Sequence, residues 1–482
     1  MKGFPAKPEF SGSLYQPVRF EGDVYDLEVE GEVPDCLEGT FYQVAPDPQY
    51  PPFLGEDIFF NGDGCIHAFR FSKGHVDFKR RYVMTQRLKL QREERASLYG
   101  IYRNPHTNDP KAAGTNNSTA NTNVIQHAGV LLALKEDSAP YALDPVTMET
   151  IGLWDFGGQL TSPTFTAHPK IDPETGDLLC FGYEAKGEAT PDVVYYEFDK
   201  HGHKKREIWI RAPYAAMIHD FAVTEHYVIF PLMPLTADLE RLKKGGRHFE
   251  WQSSLQQLFG VLPRDGEAKD VRWFTAPNGF QGHTLNSFDD GHGKIYLDMP
   301  VTSGNIFYFF PPADGHVPPP ETLKSQMTRW TFDMNRPGNS LEASHLTQFP
   351  CEFPRSDDRY MGRPYSHGFM IAFDPGKPYN GEKLGPMPFQ FFNMLAHVEV
   401  TTKKTKTWFA DDSSCFQEPI FVPKSATAPE GHGYVIALRN RLVDYATDLV
   451  ILDAQHIDEG PVATVKLPFR LRMSLHGNWV PT

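Results

Sequence analysis

No stretch of the 482-residue sequence is apolar for long enough to cross a bilayer, and the opening M-K-G-F-P-A-K-P-E-F lacks the apolar core of a secretory signal. Cysteine is scarce: Cys36, Cys65, Cys180, Cys351 and Cys415 lie far apart, are odd in number and include no C-x-x-C pair, which excludes a disulfide framework and a zinc knuckle. Positive charge is also short. With 47 Lys and Arg against 61 Asp and Glu, the formal net charge is −14, so neither nucleic acid nor an anionic membrane surface fits as the main partner. These deficits predict a cytoplasmic protein in a reducing compartment, without stable membrane association, acting on a small ligand.

What the sequence does hold is turn formers and aromatics, with 39 Gly, 41 Pro and 36 Phe, the composition of many short strands joined by turns. A hairpin pattern recurs in F-R-F-S-K-G-H-V-D-F, Y-A-L-D-P-V-T-M-E-T-I, Y-E-F-D-K-H-G-H-K-K-R-E-I, F-G-V-L-P-R-D-G-E-A-K-D-V-R-W, W-T-F-D-M-N, A-H-V-E-V-T-T-K-K-T-K-T-W and V-I-L-D-A-Q-H-I-D-E-G. The residues just before their turns are Phe71, Leu143, Phe198, Leu262, Phe332, Val398 and Leu452, at a spacing suited to one four-stranded blade each. The expected fold is all-β: a seven-bladed β-propeller forming one domain over residues 1–482, with inter-strand insertions making a loop and helix cap. A pair of β-sandwiches is the alternative. Residues 1–30 read as an arm over the body, and L-T-A-D-L-E-R-L-K-K-G-G as a short helix with a Gly stop.

Of the 19 histidines, His75, His201, His203, His226, His292 and His456 fall in turns and His248 in an insertion, where a solvated side chain is expected. His397 sits on an apolar strand and reads as structural. Four others share a phase: His168 follows Leu143 by 25 residues, His219 follows Phe198 by 21, His283 follows Leu262 by 21 and His476 follows Leu452 by 24. The units without such a histidine place Glu352 and Glu418 at 20 residues. Inner strands meeting at a propeller axis would bring together four imidazoles with carboxylates between them. Four imidazoles suit a borderline divalent transition metal, and carboxylates commonly take the spare ring N–H.

The motifs F-N-G-D-G-C-I-H-A-F-R-F, N-T-N-V, A-H-P-K-I-D-P-E-T-G-D-L, M-I-H-D-F-A-V-T-E-H-Y-V-I-F, G-R-P-Y-S-H-G-F-M and Q-E-P-I-F-V-P, in that order over nearly the whole chain, resemble the signatures of the carotenoid cleavage oxygenases. The resemblance implies a non-heme iron enzyme with one Fe(II) per chain held by His168, His219, His283 and His476. It also implies the pairs Glu136 with His219, Glu352 with His283 and Glu418 with His476; Glu136 has no support from the phase argument. Tyr102 in L-Y-G-I-Y-R-N-P and Lys135 in L-L-A-L-K-E-D look most like the stilbene-cleaving branch, since many carotenoid-cleaving relatives carry an apolar residue there. By themselves they read as a loop tyrosine and a surface lysine. The resemblance implies that they activate a phenolic substrate, that Phe60 stacks on its ring, that Phe307 lines the cavity, and that Thr122 and Leu475 stand near the open metal positions. The expected reaction is O2-dependent cleavage of the central C=C bond of a 4-hydroxystilbene. Apocarotenoid cleavage and a ligand-binding propeller without chemistry are the alternatives, and the chain is expected to be a monomer or homodimer.

Overall fold

The computed structural model describes residues 3–319, 322–387 and 391–482. Among these residues the strands form seven antiparallel sheets of four to six strands and one two-stranded hairpin, Leu235–Ala237 with Phe249–Trp251. The seven sheets are the blades of a β-propeller, an arrangement that leaves only short sheet edges exposed. Phe71, Leu143, Phe198, Leu262, Phe332, Val398 and Leu452 each lie at or next to the end of the third strand from the axis. The hairpins visible in the sequence are therefore the outer hairpins of the blades. From each one the chain crosses to the inner strand of the next blade, which is why a step of 20 to 25 residues after the marker reaches the axis.

Each sheet is covered on both faces by its neighbours, so strands that would alternate in a half-buried sheet run continuously apolar here. Leu178–Tyr183, in the third blade, is buried at all six positions. Leu178 and Cys180 pack towards the second blade with Leu132 and Leu134, while Leu179 and Phe181 pack towards the fourth with Val228 and Phe230. Period-2 alternation thus assigns successive side chains to different inter-blade cores rather than to core and solvent.

The ring is closed twice. Strand Gly477–Pro481 pairs with Gly39–Pro46 as the innermost strand of the first blade, and Val29–Gly31 pairs with Pro461–Lys466 as the outermost strand of the last. The N-terminal arm is anchored by Arg472, a fully buried guanidinium that donates to the carbonyls of Glu9 (2.5 Å), Tyr15 (2.7 Å) and Pro46. Insertions converge on one cluster: Phe60, Tyr102, Leu235, Phe249, Phe307, Phe309 and Phe310 pack together, continuous with the core between blades three and four. The short helix Leu239–Lys243 is capped by Asp238, which accepts from Arg241 N at 2.7 Å, and is stopped by Gly245 at φ 77°.

One expectation fails. His248 is not solvated but 2% exposed, wedged beneath the insertion hairpin by hydrogen bonds to Glu184 and to the Arg103 carbonyl. His75, His201, His203, His226, His292 and His456 are exposed as expected, and His397 is buried in a 2.9 Å pair with His367.

Candidate metal centre and the aromatic cluster beside it

Every blade contributes a histidine or a glutamate to the axis. His476 directly precedes the inner strand of the first blade, His168 and His219 lie just before those of the third and fourth, and His283 interrupts that of the fifth. Glu136 follows the second strand of the second blade, Glu352 lies on the inner strand of the sixth, and Glu418 interrupts that of the seventh. Strand ends and interruptions suit the purpose, because backbone freed from its ladder lets a side chain turn to the axis.

The four histidines each offer a ring nitrogen, and these atoms all lie within 4.8 Å of one another. His219 Nε2 is 3.2 Å from His168 Nε2 and 3.0 Å from His283 Nε2. The opposite nitrogens of three rings face carboxylates: His219 Nδ1 to Glu136 at 2.6 Å, His283 Nδ1 to Glu352 at 2.6 Å, and His476 Nδ1 to Glu418 at 2.8 Å. A carboxylate fixes the proton on Nδ1 and turns the Nε2 lone pair inwards. Burial pushes His168 well below the ordinary histidine value and His476 down to about 4, the latter against the pull of Glu418. At His283 burial is outweighed by Glu352, and the net shift is upward. Converging lone pairs repel one another unless a cation lies between them, so the donor set fits a borderline transition-metal ion.

The carboxylates are themselves held. Glu418 accepts from Gly477 N at 2.8 Å and faces Arg355 at 3.6 Å, and Arg355 also donates to the Gly477 carbonyl at 2.7 Å. Glu352 approaches Gly282 so closely that a Cβ there would lie 2.3 Å from Oε1, so only glycine fits before His283. A bulge between Glu352 and Arg355 frees Phe353, at φ 50°, to stack on His283 with centroids 4.9 Å apart. Sequence reading missed Phe353 and Arg355, which carry no local signal.

Lys135 and Glu136 leave the end of a strand consecutively, and alternation sends them to opposite sides. Glu136 faces the histidines, whereas Lys135 enters the cap cluster, 3% exposed, with Nζ 3.3 Å from the Tyr102 hydroxyl and 3.3 Å from the Phe60 carbonyl. Both partners are neutral. Nζ also lies 4.5 Å from the centroid of the Tyr102 ring. Burial lowers the Lys135 value and raises Tyr102 well above that of a free phenol, which keeps Tyr102 a hydroxyl donor. The Phe60 ring meets Phe307 and Phe309 edge to face at 5.6 and 5.4 Å, and Tyr102 meets Phe310 at 5.8 Å. Phe309 and Phe310 were also missed, although the run I-F-Y-F-F advertised them. Thr122 and Leu475 flank His476: the Thr122 carbonyl accepts from His476 N at 3.2 Å, and Leu475 N donates to Val44.

Residues 15–481 match the family described as RPE65, retinal pigment epithelial membrane protein. The chain is 44% identical over 482 residues to a resveratrol cleavage oxygenase of Aspergillus fumigatus, covering 99% of this chain and 96% of that one. It is 45% identical over 477 residues to an isoeugenol monooxygenase of Pseudomonas nitroreducens, covering 98% of each. The crystal structure of Pseudomonas brassicacearum lignostilbene dioxygenase superposes with a TM-score of 0.98 at 60% identity, over 100% of both chains. A match over nearly the whole length, on a propeller with four converging histidines, places the chain in the RPE65 family, that of the carotenoid cleavage oxygenases.

Proposed function

We propose that the chain is an Fe(II)- and O2-dependent dioxygenase that cleaves the central C=C bond of a 4-hydroxystilbene into two aromatic aldehydes. Each alkene carbon gains one oxygen atom of O2, the C=C and O–O bonds break, and two C=O bonds form. His168, His219, His283 and His476 would hold one iron per chain, and Glu136, Glu352 and Glu418 would fix three of the rings. Fe(II) held there supplies the binding and activation of O2. In the same reading the chain works in the cytoplasm as one propeller domain over residues 1–482, as a monomer or homodimer.

The observation that carries the substrate class is the buried ammonium of Lys135, whose two hydrogen bonds both go to neutral oxygens. A buried cation left so leaves room for an anion. A phenol has a pKa of about 10, so holding it as phenolate at pH 7 costs about 4 kcal/mol. An ammonium about 4 Å away contributes about 4 kcal/mol at an effective dielectric of 20. Tyr102, which accepts from Lys135, has its own proton free to donate to the same oxygen, a charge-assisted hydrogen bond. The ionised oxygen then pushes electron density through the ring onto the alkene. Phe60 and Phe307 would offer aromatic faces to the rings, with Thr122 and Leu475 beside His476. An apolar polyene would leave Lys135 desolvated and unpaired, which disfavours the carotenoid alternative. Resveratrol, a lignostilbene and isoeugenol, named in the relatives, are all phenols with the hydroxyl para to the carbon bearing the alkene.

The test is turnover of a 4-hydroxystilbene and of its 4-O-methyl ether, with products identified by mass spectrometry. The free phenol should yield two aldehydes and the ether none. Cleavage of the ether at the rate of the phenol would overturn the activation by Tyr102 and Lys135.

A further inference from the structure

Tyr102 sits on a four-residue turn closed by Asn104 N donating to the Ile101 carbonyl at 2.9 Å. The next residue, Arg103, has φ 55°, a left-handed conformation at the turn position that glycine or asparagine ordinarily takes. Its ion-pair partner Glu184, at the end of strand Leu178–Tyr183, is also left-handed, at φ 51°. Two unrelated loops therefore hold non-glycine residues in the same unfavourable conformation where they meet, and such local strain persists only where the surroundings over-determine it.

The surroundings do so here. Arg103 donates to Glu184 at 2.7 Å and to the Tyr183 hydroxyl, with its guanidinium between the rings of Tyr183 (5.1 Å) and Phe249 (5.2 Å). His248, on a third element, lies 2.8 Å by Nδ1 from the Arg103 carbonyl and 2.9 Å by Nε2 from both oxygens of Glu184. A carbonyl and a carboxylate only accept, so both ring nitrogens donate. The side chains of Arg103, Glu184 and His248 are each 3% exposed. Asn104 completes the grip, donating to the Leu242 and Gly246 carbonyls at 3.0 and 2.7 Å. From Phe249 the aromatic contacts pass to Phe310 at 5.6 Å and from Phe310 to Tyr102 at 5.8 Å.

We propose that Arg103, Glu184 and His248 are positioning residues for Tyr102: they lock its turn so that the hydroxyl stays against Lys135 and aims at the substrate phenol. Glu184 comes from the third blade and His248 from the fourth, and the turn between them belongs to neither. Without the clamp the turn would keep its other anchors, such as Asn104 on the insertion, Thr107 on Ile101 N and Asn61 on the Gly100 carbonyl. The proposal rests on the role of Tyr102 given above, and its test separates the two.

His248→Gln and Arg103→Gly are compared with Tyr102→Phe and with the double variants; glycine takes the left-handed conformation at 103 without strain, which offsets part of the lost ion pair. Each single variant should keep its metal and lose about 10- to 100-fold in kcat on a 4-hydroxystilbene, the scale of a misplaced catalytic contact. In the Tyr102→Phe background the same substitutions should cost less than about 2-fold, because they act through Tyr102. Losses that multiply would overturn the proposal. Crystal structures of the two variants give a readout independent of any substrate. A Tyr102 hydroxyl to Lys135 Nζ separation longer than 3.3 Å supports the clamp, and an unchanged one overturns it. Should Tyr102→Phe itself turn over normally, the phenol-activation reading fails, and the crystal structures still decide the positioning.

Discussion

At the scale of single residues, adjacent positions in the chain carry different tasks because a strand end alternates. Lys135 and Glu136 illustrate this: one faces Tyr102 in the cap cluster and the other His219. Lys135→Met and Tyr102→Phe should therefore abolish most turnover of a phenolic stilbene while leaving metal content unchanged, as measured by elemental analysis of the purified variants. Glu418→Gln should have the complementary profile. The imidazole of His476 remains but loses its charged acceptor, and metal affinity or activity should drop about 10- to 100-fold. Retention of both would count against the pairing. The four histidines were legible from phase alone, since each lies 21 to 25 residues, one crossover, beyond its marker. Lys135 and Tyr102 were not, because nothing within a few residues of either distinguishes it from a surface lysine or a loop tyrosine.

At the scale of elements, the interrupted inner strands are what aim the side chains. Gly282→Ala should push Glu352 off His283, since the new Cβ would meet Oε1 at 2.3 Å, and metal retention should fall by about the same 10- to 100-fold, visible after dialysis against a weak chelator. The buried clamp has its own acid signature. Burial alone would raise Glu184, but His248 and Arg103 outweigh it and bring the carboxyl down from 4.5 to about 2. A group with a depressed folded value stabilises the fold above its unfolded value, and that contribution is lost as pH falls from about 4.5 towards 2. Glu184→Gln should thus flatten the acid limb of a stability curve in that window, as followed by chemical denaturation at a series of pH values. The outer hairpins were readable because turn chemistry is local. The Arg103–Glu184–His248 cluster was not, because its members are 81 and 64 residues apart and come from an insertion, a blade loop and another insertion. The solvated reading of His248 failed for that reason: an insertion between strands can fold down onto a neighbouring blade.

At the scale of the whole molecule, a candidate ligand set drawn from four blades would couple metal binding to closure of the ring. A metal that binds only the folded chain stabilises it by about 4 kcal/mol at a free concentration 1,000 times Kd. With an unfolding entropy of about 1 kcal/mol/K for a chain of this length, chelation should lower Tm by about 4 °C, measured by calorimetry. His168→Ala should show no such difference between treated and untreated protein. The closing strand Gly477–Pro481 stands directly after His476 and seals the first blade to the last part of the chain. That order matters during translation. A nascent chain extended as far as residue 470 already carries His168, His219, His283 and all three glutamates, and its middle blades can fold as they emerge. The fourth imidazole and the strand that draws the ring shut arrive together, after the strands of the other blades. A metal that needs all four imidazoles would therefore find its complete seat only once the ring can close.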